Sequence, residues 1–140
     1  MRYLLVLLLA GLFLSCEKDI DFDLKESAPT LVVEGEIENG LPPRIILTKS
    51  VDYFSQITPQ ILAGTFVHNA EVFLSDGTQT KRLVEYSIPI GSGFSLYFYS
   101  IDTSSPSNII LGEFNKQYSL SINTEGKNYT ASTRIPALTL

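Results

Sequence analysis

Gln117-Tyr118-Ser119-Leu120-Ser121-Ile122-Asn123, then Glu125-Gly126, then Asn128-Tyr129-Thr130-Ala131-Ser132-Thr133-Arg134 is the stretch that decides the fold class. Tyr118, Leu120 and Ile122 alternate with Gln117, Ser119, Ser121 and Asn123, the period of two expected of a strand with one buried and one wet face. Glu125-Gly126 turns the chain, and the return run stops at Pro136. The pair reads as a β-hairpin.

The same pattern recurs upstream. In Leu31–Glu38 the residues Leu31, Val33 and Ile37 share one face, with Glu34, Glu36 and Glu38 on the other. Asn39-Gly40 is a strong turn signal, and Ile45–Thr48 begins a second strand. Residues 51–65 keep no regular period and form the longest candidate loop. Asn69–Ser75, closed by Asp76-Gly77, pairs with Thr78–Tyr86. Phe94–Ser100 sets Phe94, Leu96 and Phe98 against Ser95, Tyr97 and Tyr99. About seven short strands, with no helical stretch after Cys16, predict an all-β, immunoglobulin-like sandwich with Greek-key connections. Leu31, Val33, Ala70, Val72, Leu74, Leu96, Leu120 and Ile122 are its expected core. Tyr118 stands at the start of the penultimate strand behind Gly112. There it is either a tyrosine corner, its hydroxyl tied back to the backbone, or simply a buried aromatic.

The front of the chain reads differently. One positive charge at Arg2, an apolar run from Leu4 to Leu14 and the small Ser15 describe a secretory signal peptide over residues 1–15. The run falls short of the roughly 20 residues that span a bilayer. Ser15-Cys16 resembles the lipobox of bacterial lipoproteins, although Phe13 and Leu14 depart from its commonest form. The resemblance implies that Cys16 is acylated and becomes the mature N-terminus. The competing reading, an ordinary signal peptide with an incidental cysteine, leaves a lone free thiol in an exported protein. Residues 16–29 are the lipidated cysteine and an acidic tether without sustained periodicity. Cys16-Glu17-Lys18-Asp19 resembles the export signal of Bacteroidetes surface lipoproteins.

Composition narrows the function classes. Beyond residue 15 there remain 125 residues, enough for one domain with a core. They carry nine Lys and Arg against fifteen Asp and Glu, with no basic cluster of the kind nucleic acid requires. An acidic body is repelled by anionic headgroups, so attachment to a membrane has to come through lipid on Cys16. A single cysteine excludes a disulfide within the chain.

Few residues suggest chemistry. His68 is the only histidine, with Glu71 its nearest acid in sequence and no nucleophile elbow beside it. Gly91-Ser92-Gly93 lacks the first glycine of Gly-x-Ser-x-Gly, since Pro89 stands there. Asp19, Asp21 and Asp23 begin like a calcium loop, but Leu24 and Thr30 occupy the positions that need Gly and Glu. The ligand count is too low for zinc, and there is no phosphate loop. No catalytic residue, metal or cofactor is therefore expected, and Asn128-Tyr129-Thr130 is a chance match to a glycosylation sequon. The aromatic groups remain. Tyr53, Phe54, Tyr97 and Tyr99 are the candidate binding residues, because alternation puts Tyr97 and Tyr99 opposite Phe98, toward solvent or a partner.

One resemblance covers residues 12 to 136. The lipobox and acidic tether are followed by Leu31-Val32-Val33-Glu34-Gly35, Asn39-Gly40, Ile45-Ile46-Leu47-Thr48, Ser50, Tyr53-Phe54, Ala70-Glu71-Val72 and Asp76-Gly77. Tyr118–Ile122, Gly126–Ala131 and Ile135-Pro136 complete the series. In this order they resemble the N-terminal part of the Bacteroidetes lipoproteins of domain-of-unknown-function family 4249. The resemblance implies an immunoglobulin-like front domain over 30–136, no assigned catalytic residues, and work at the outer membrane or cell surface beside a TonB-dependent receptor. Family members run on past the position of Pro136, so residues 137–140 are expected to be a truncated end or the start of a missing region. The expected function is a non-enzymatic, lipid-anchored binding module. Its rivals are the front domain of an enzyme whose catalytic part lies elsewhere, and a structural or adhesive surface module.

Mass spectrometry of membrane-extracted protein should find a lipid-modified Cys16 at the N-terminus, and Cys16→Ala should release the protein or leave it unprocessed. An unmodified N-terminus at another residue refutes the lipobox reading.

Overall fold

The computed structural model describes residues 28–52, 55–91 and 93–138. The expected signal peptide, Cys16 and most of the expected tether lie outside the described residues, as do Tyr53 and Phe54. Seven strands form one curled antiparallel sheet: β1 (Leu31–Glu36), β2 (Arg44–Lys49), β3 (Glu71–Ser75), β4 (Thr80–Pro89), β5 (Ser95–Ile101), β6 (Gln117–Thr124) and β7 (Lys127–Arg134). Their order across the sheet is β1-β2-β5-β4-β3-β6-β7. Lettered by sequence, that order is A-B-E-D followed by C-F-G, the two layers of an immunoglobulin-like sandwich. The β3–β4 hairpin carries the hydrogen bonding from one layer to the other. The all-β class and the strand count stand as the alternation implied.

The core lies between the layers. Ile45, Leu47, Leu83, Tyr99 and Ile101 fill it from one side, and Val72, Leu74, Tyr118 and Ile122 from the other. Val67, Ala70, Ile110 and Ile135 close its ends. Of the expected core, Ala70, Val72, Leu74 and Ile122 are buried, while Leu31 and Leu120 pack against its margin.

Three expectations need correction. A five-residue helix, α1 (Pro59–Ala63), stands in the long loop, started by the Thr58 side chain accepting from the Ile61 N–H at 3.2 Å. A short 3₁₀ turn covers Pro106–Asn108. Val33 is 39% exposed, because it faces the gap between the two edge strands and not the filled interior. The third is the phase of β5. That strand runs on to Ile101, and Ile101 and Tyr99 are buried together. Two-residue periodicity then sends Leu96 and Phe98 to the outside. Tyr99, expected at the surface, is 3% exposed.

Two side chains pin the end of the sandwich where β3 leads into β4. Tyr118 is 1% exposed. Its hydroxyl donates to the Leu111 carbonyl at 3.0 Å and accepts from the Glu113 N–H at 2.9 Å. Of the two readings open from the sequence, this is the tyrosine corner. The loop it fastens runs against the β1–β2 turn, where Gly40 N–H donates to the Gly112 carbonyl at 2.8 Å and Gly112 N–H to the Leu41 carbonyl at 2.9 Å. A Cβ on Gly112 would sit 2.0 Å from the Glu38 carbonyl oxygen, so only glycine fits. Asp76 does more than turn the chain. One carboxylate oxygen accepts from Thr78 N–H, Thr78 Oγ1 and Gln79 N–H, and the other pairs with Lys116 Nζ at 2.9 Å. Burial pushes the Asp76 carboxyl up, but these donors outweigh it and hold its pKa well below the usual range.

Tyr118→Phe removes one hydroxyl and leaves the Leu111 carbonyl and Glu113 N–H without their partner. A loss of about 1–3 kcal/mol is expected from such buried groups. Urea unfolding monitored by circular dichroism measures it, and an unchanged midpoint would remove the corner's structural role.

Candidate functional site

The site is built on the β4–β5 hairpin. Their register sets Leu83 opposite Ile101, Glu85 opposite Tyr99 and Ser87 opposite Tyr97 on the inner face. Val84 then meets Ser100, Tyr86 meets Phe98 and Ile88 meets Leu96 on the outer face. The outer face is therefore largely apolar. The Tyr86 and Phe98 rings stack with centroids 5.7 Å apart and planes 23° from parallel. The Tyr86 hydroxyl donates to the Ile101 carbonyl at 2.9 Å. Ile88 is half exposed, at 50%.

A second aromatic group gathers at the end of the hairpin, on the side of Tyr97. Phe94 lies 6.1 Å from Phe66, and Phe66 lies 5.4 Å from Tyr97, between ring centroids. His68 meets Tyr97 edge-on, with centroids 4.5 Å apart at 87°. Phe66 reaches this place because the segment after α1 bridges to β2 through Thr48 and Phe66, and Val67 N–H donates to the Leu47 carbonyl at 2.9 Å.

Beneath Tyr97 a polar cluster fastens that segment to the hairpin. His68 Nδ1 hydrogen bonds to Glu85 Oε1, and the Asn69 N–H donates to Glu85 Oε2 at 3.2 Å. Asn69 takes a left-handed φ of 58°, a conformation asparagine tolerates better than most residues. The Tyr99 hydroxyl accepts from the Ala70 N–H at 3.1 Å. It lies 2.9 Å from the Val67 carbonyl and 3.1 Å from Glu85 Oε2, two acceptors for its single proton. Burial pushes the Glu85 carboxyl up, but the donations from His68, Asn69 and Tyr99 prevail and its pKa is lowered. Burial, reinforced by the charge of Glu85, pushes the Tyr99 phenol up to about 12 against the pull of the Ala70 N–H.

The structure thus keeps Tyr97 half-buried on the inner side of the hairpin, against Phe66 and His68, and Tyr99 in the core on the same side. Cys16, Tyr53 and Phe54 lie outside the described residues. The partner of His68 is Glu85, seventeen residues on, and not Glu71. The hydroxyl next to that pair belongs to Tyr99 and sits on the carboxylate, away from the imidazole. No group of three or more His, Cys, Asp or Glu side chains that could hold a metal occurs among the described residues. Sequence reading passed over Tyr86, Leu96 and Phe98 as surface residues. The available signal was Ile101, whose apolar character continues the phase of Tyr97 and Tyr99.

A family model described as a domain of unknown function, DUF4249, matches residues 17–139. No curated protein and no solved structure matches the chain.

Tyr99→Phe should lower stability at neutral pH by about 1–3 kcal/mol, since the Ala70 N–H loses its acceptor. It should also change the alkaline limb. A phenol whose pKa is raised on folding stabilises fully below its unfolded value near 10 and loses that contribution as pH rises toward about 12. The variant should therefore lose less stability than wild type between those limits in urea titrations. Parallel pH curves would refute the assignment.

Proposed function

The chain belongs to the DUF4249 family, and from that premise we propose that it is a non-enzymatic, lipid-anchored binding module of a Bacteroidetes outer membrane or cell surface. Lipid on Cys16 supplies the anchor. The partner is an outer-membrane receptor protein of the TonB-dependent class, held on the outer face of β4 and β5.

One observation carries this reading: a sheet face that would ordinarily be polar bears Tyr86, Ile88, Leu96 and Phe98. Antiparallel sandwiches usually alternate apolar-in with polar-out. A contiguous apolar stripe on the outside marks a contact surface. Aromatic rings are the residue type enriched at the centres of such contacts, where a rigid ring buries much area at small entropic cost. The Glu36–Arg44 ion pair borders the stripe near Phe98 and gives it a polar rim.

Phe98→Glu puts a charge at the middle of the stripe and leaves the core untouched. Affinity capture from outer-membrane extracts should recover at least tenfold less receptor with this variant than with wild type. Ser121→Glu, on the outer face of the other layer, should capture normally. Equal capture by Phe98→Glu overturns the surface assignment.

A further inference from the structure

Strand register gathers exposed apolar side chains at one end of the sandwich. Leu31 pairs with Lys49 and Pro89 with Ser95, and β2 runs antiparallel to β5. The start of β1, the end of β2 and the tip of the β4–β5 hairpin therefore share an end, opposite the Tyr118 corner. Thr30 is fastened at this end. Its N–H donates to Ser50 Oγ at 2.9 Å, and the Ser50 N–H donates to the Thr30 carbonyl at 2.9 Å.

Two segments project here. One is the loop that carries α1, where Ile57, at 58%, Ile61 and Leu62 are exposed and no residue of the helix is buried. The other is the hairpin tip, where Ile90 is 53% exposed. Phe66 links them, since it follows α1 and packs against Phe94 and Tyr97. Residues 55–67 and 86–98 contain no Asp, Glu, Lys or Arg. At the 18% charged fraction of the whole chain, about five would be expected over that combined length. The charges of this end gather instead round the β6–β7 turn, where Glu71, Glu125 and Lys127 line a hollow with His68 and Lys49 pairs with Glu125.

Exposed isoleucine and leucine, free of charge and bordered by aromatic rings, suit the boundary between headgroups and acyl chains of a bilayer. An acidic body gains nothing from anionic headgroups, and these two segments hold no charge for them to repel. Attachment favours the same end. The fourteen residues from Cys16 to Thr30 span at most about 50 Å, and they join the domain where the apolar segments project. We propose that the α1 loop and the β4–β5 tip dip into the membrane interface, with Ile57, Ile61, Leu62 and Ile90 reaching the acyl boundary. They form a second contact beside the lipid, which stands the sandwich with its Tyr118 end away from the bilayer. This inference rests on the lipid on Cys16 and is independent of the receptor.

Fluorescence quenching on the full-length chain tests it. An environment-sensitive thiol dye is placed through Ile61→Cys, Ile90→Cys or Leu41→Cys, the last being exposed in the β1–β2 turn at the opposite end. Each labelled chain is reconstituted in vesicles of phosphatidylethanolamine and phosphatidylglycerol whose acyl chains carry a nitroxide quencher. Quenching should be at least threefold greater at 61 and at 90 than at 41. Adding Ile57→Asp and Ile90→Asp, both at exposed positions, should lower the signal at 61 at least twofold. Equal quenching at the three sites in a chain with lipid-modified Cys16 overturns the proposal, as does a signal at 61 that survives both aspartates. Dyes at 61 and 90 that respond to outer-membrane protein extract and not to the lipid quencher also overturn it, because a protein then covers this end. Dye uptake by the wild-type chain reveals a free thiol on Cys16, which removes the anchor and this inference with it.

Discussion

The burial of one phenol, Tyr99, governs more of this structure than any other single contact. A buried hydroxyl must find partners or it costs free energy comparable to a lost hydrogen bond. Tyr99 finds them in the Ala70 N–H, the Val67 carbonyl and Glu85. Meeting those demands folds the 67–70 segment onto β5 and brings His68 to Glu85. It also fixes the phase of β5. With Tyr99 and Ile101 inside, Leu96 and Phe98 have only the outer face left to them. The apolar stripe of the candidate site is thus a consequence of what the core needed.

A second tyrosine does the corresponding work at the opposite end. Tyr118 ties the 111–113 backbone to the start of β6, and Asp76 reaches across to Lys116 from the β3–β4 turn. Here both ends of a two-layer sandwich are held by side chains that hydrogen bond to backbone, in a chain whose only cysteine precedes the domain. Exposed ion pairs such as Lys49–Glu125 add little to this.

The sandwich presents two kinds of surface. The β4–β5 stripe is rigid, backed by the core and by the His68–Glu85 pair, and suits recognition of a partner with a preformed shape. Among the described residues, the space between β1 and β7 is an apolar cleft lined by Val33, Ile37, Leu74 and Ala131.

The sequence by itself determined the class of fold. Alternation in residues 117–134, the turns at Asn39-Gly40, Asp76-Gly77 and Glu125-Gly126, and the lack of long helical periods are local signals, and local signals survive without knowledge of neighbours. It also singled out Tyr118, because a tyrosine at the start of the sixth strand has few structural uses. It left the facing of β5 open to error, since Phe94-Ser95-Leu96-Tyr97-Phe98-Tyr99 offers apolar or aromatic residues in both phases. Only the tertiary structure decided between them, by placing Ala70, Val67 and Glu85 where the Tyr99 hydroxyl could bond and Phe98 could not. The pairing of His68 with Glu85, the close approach that makes Gly112 obligatory and the unclosed gap between β1 and β7 have the same origin. Each depends on residues distant in sequence meeting across the sandwich, a fact of packing that no local pattern encodes.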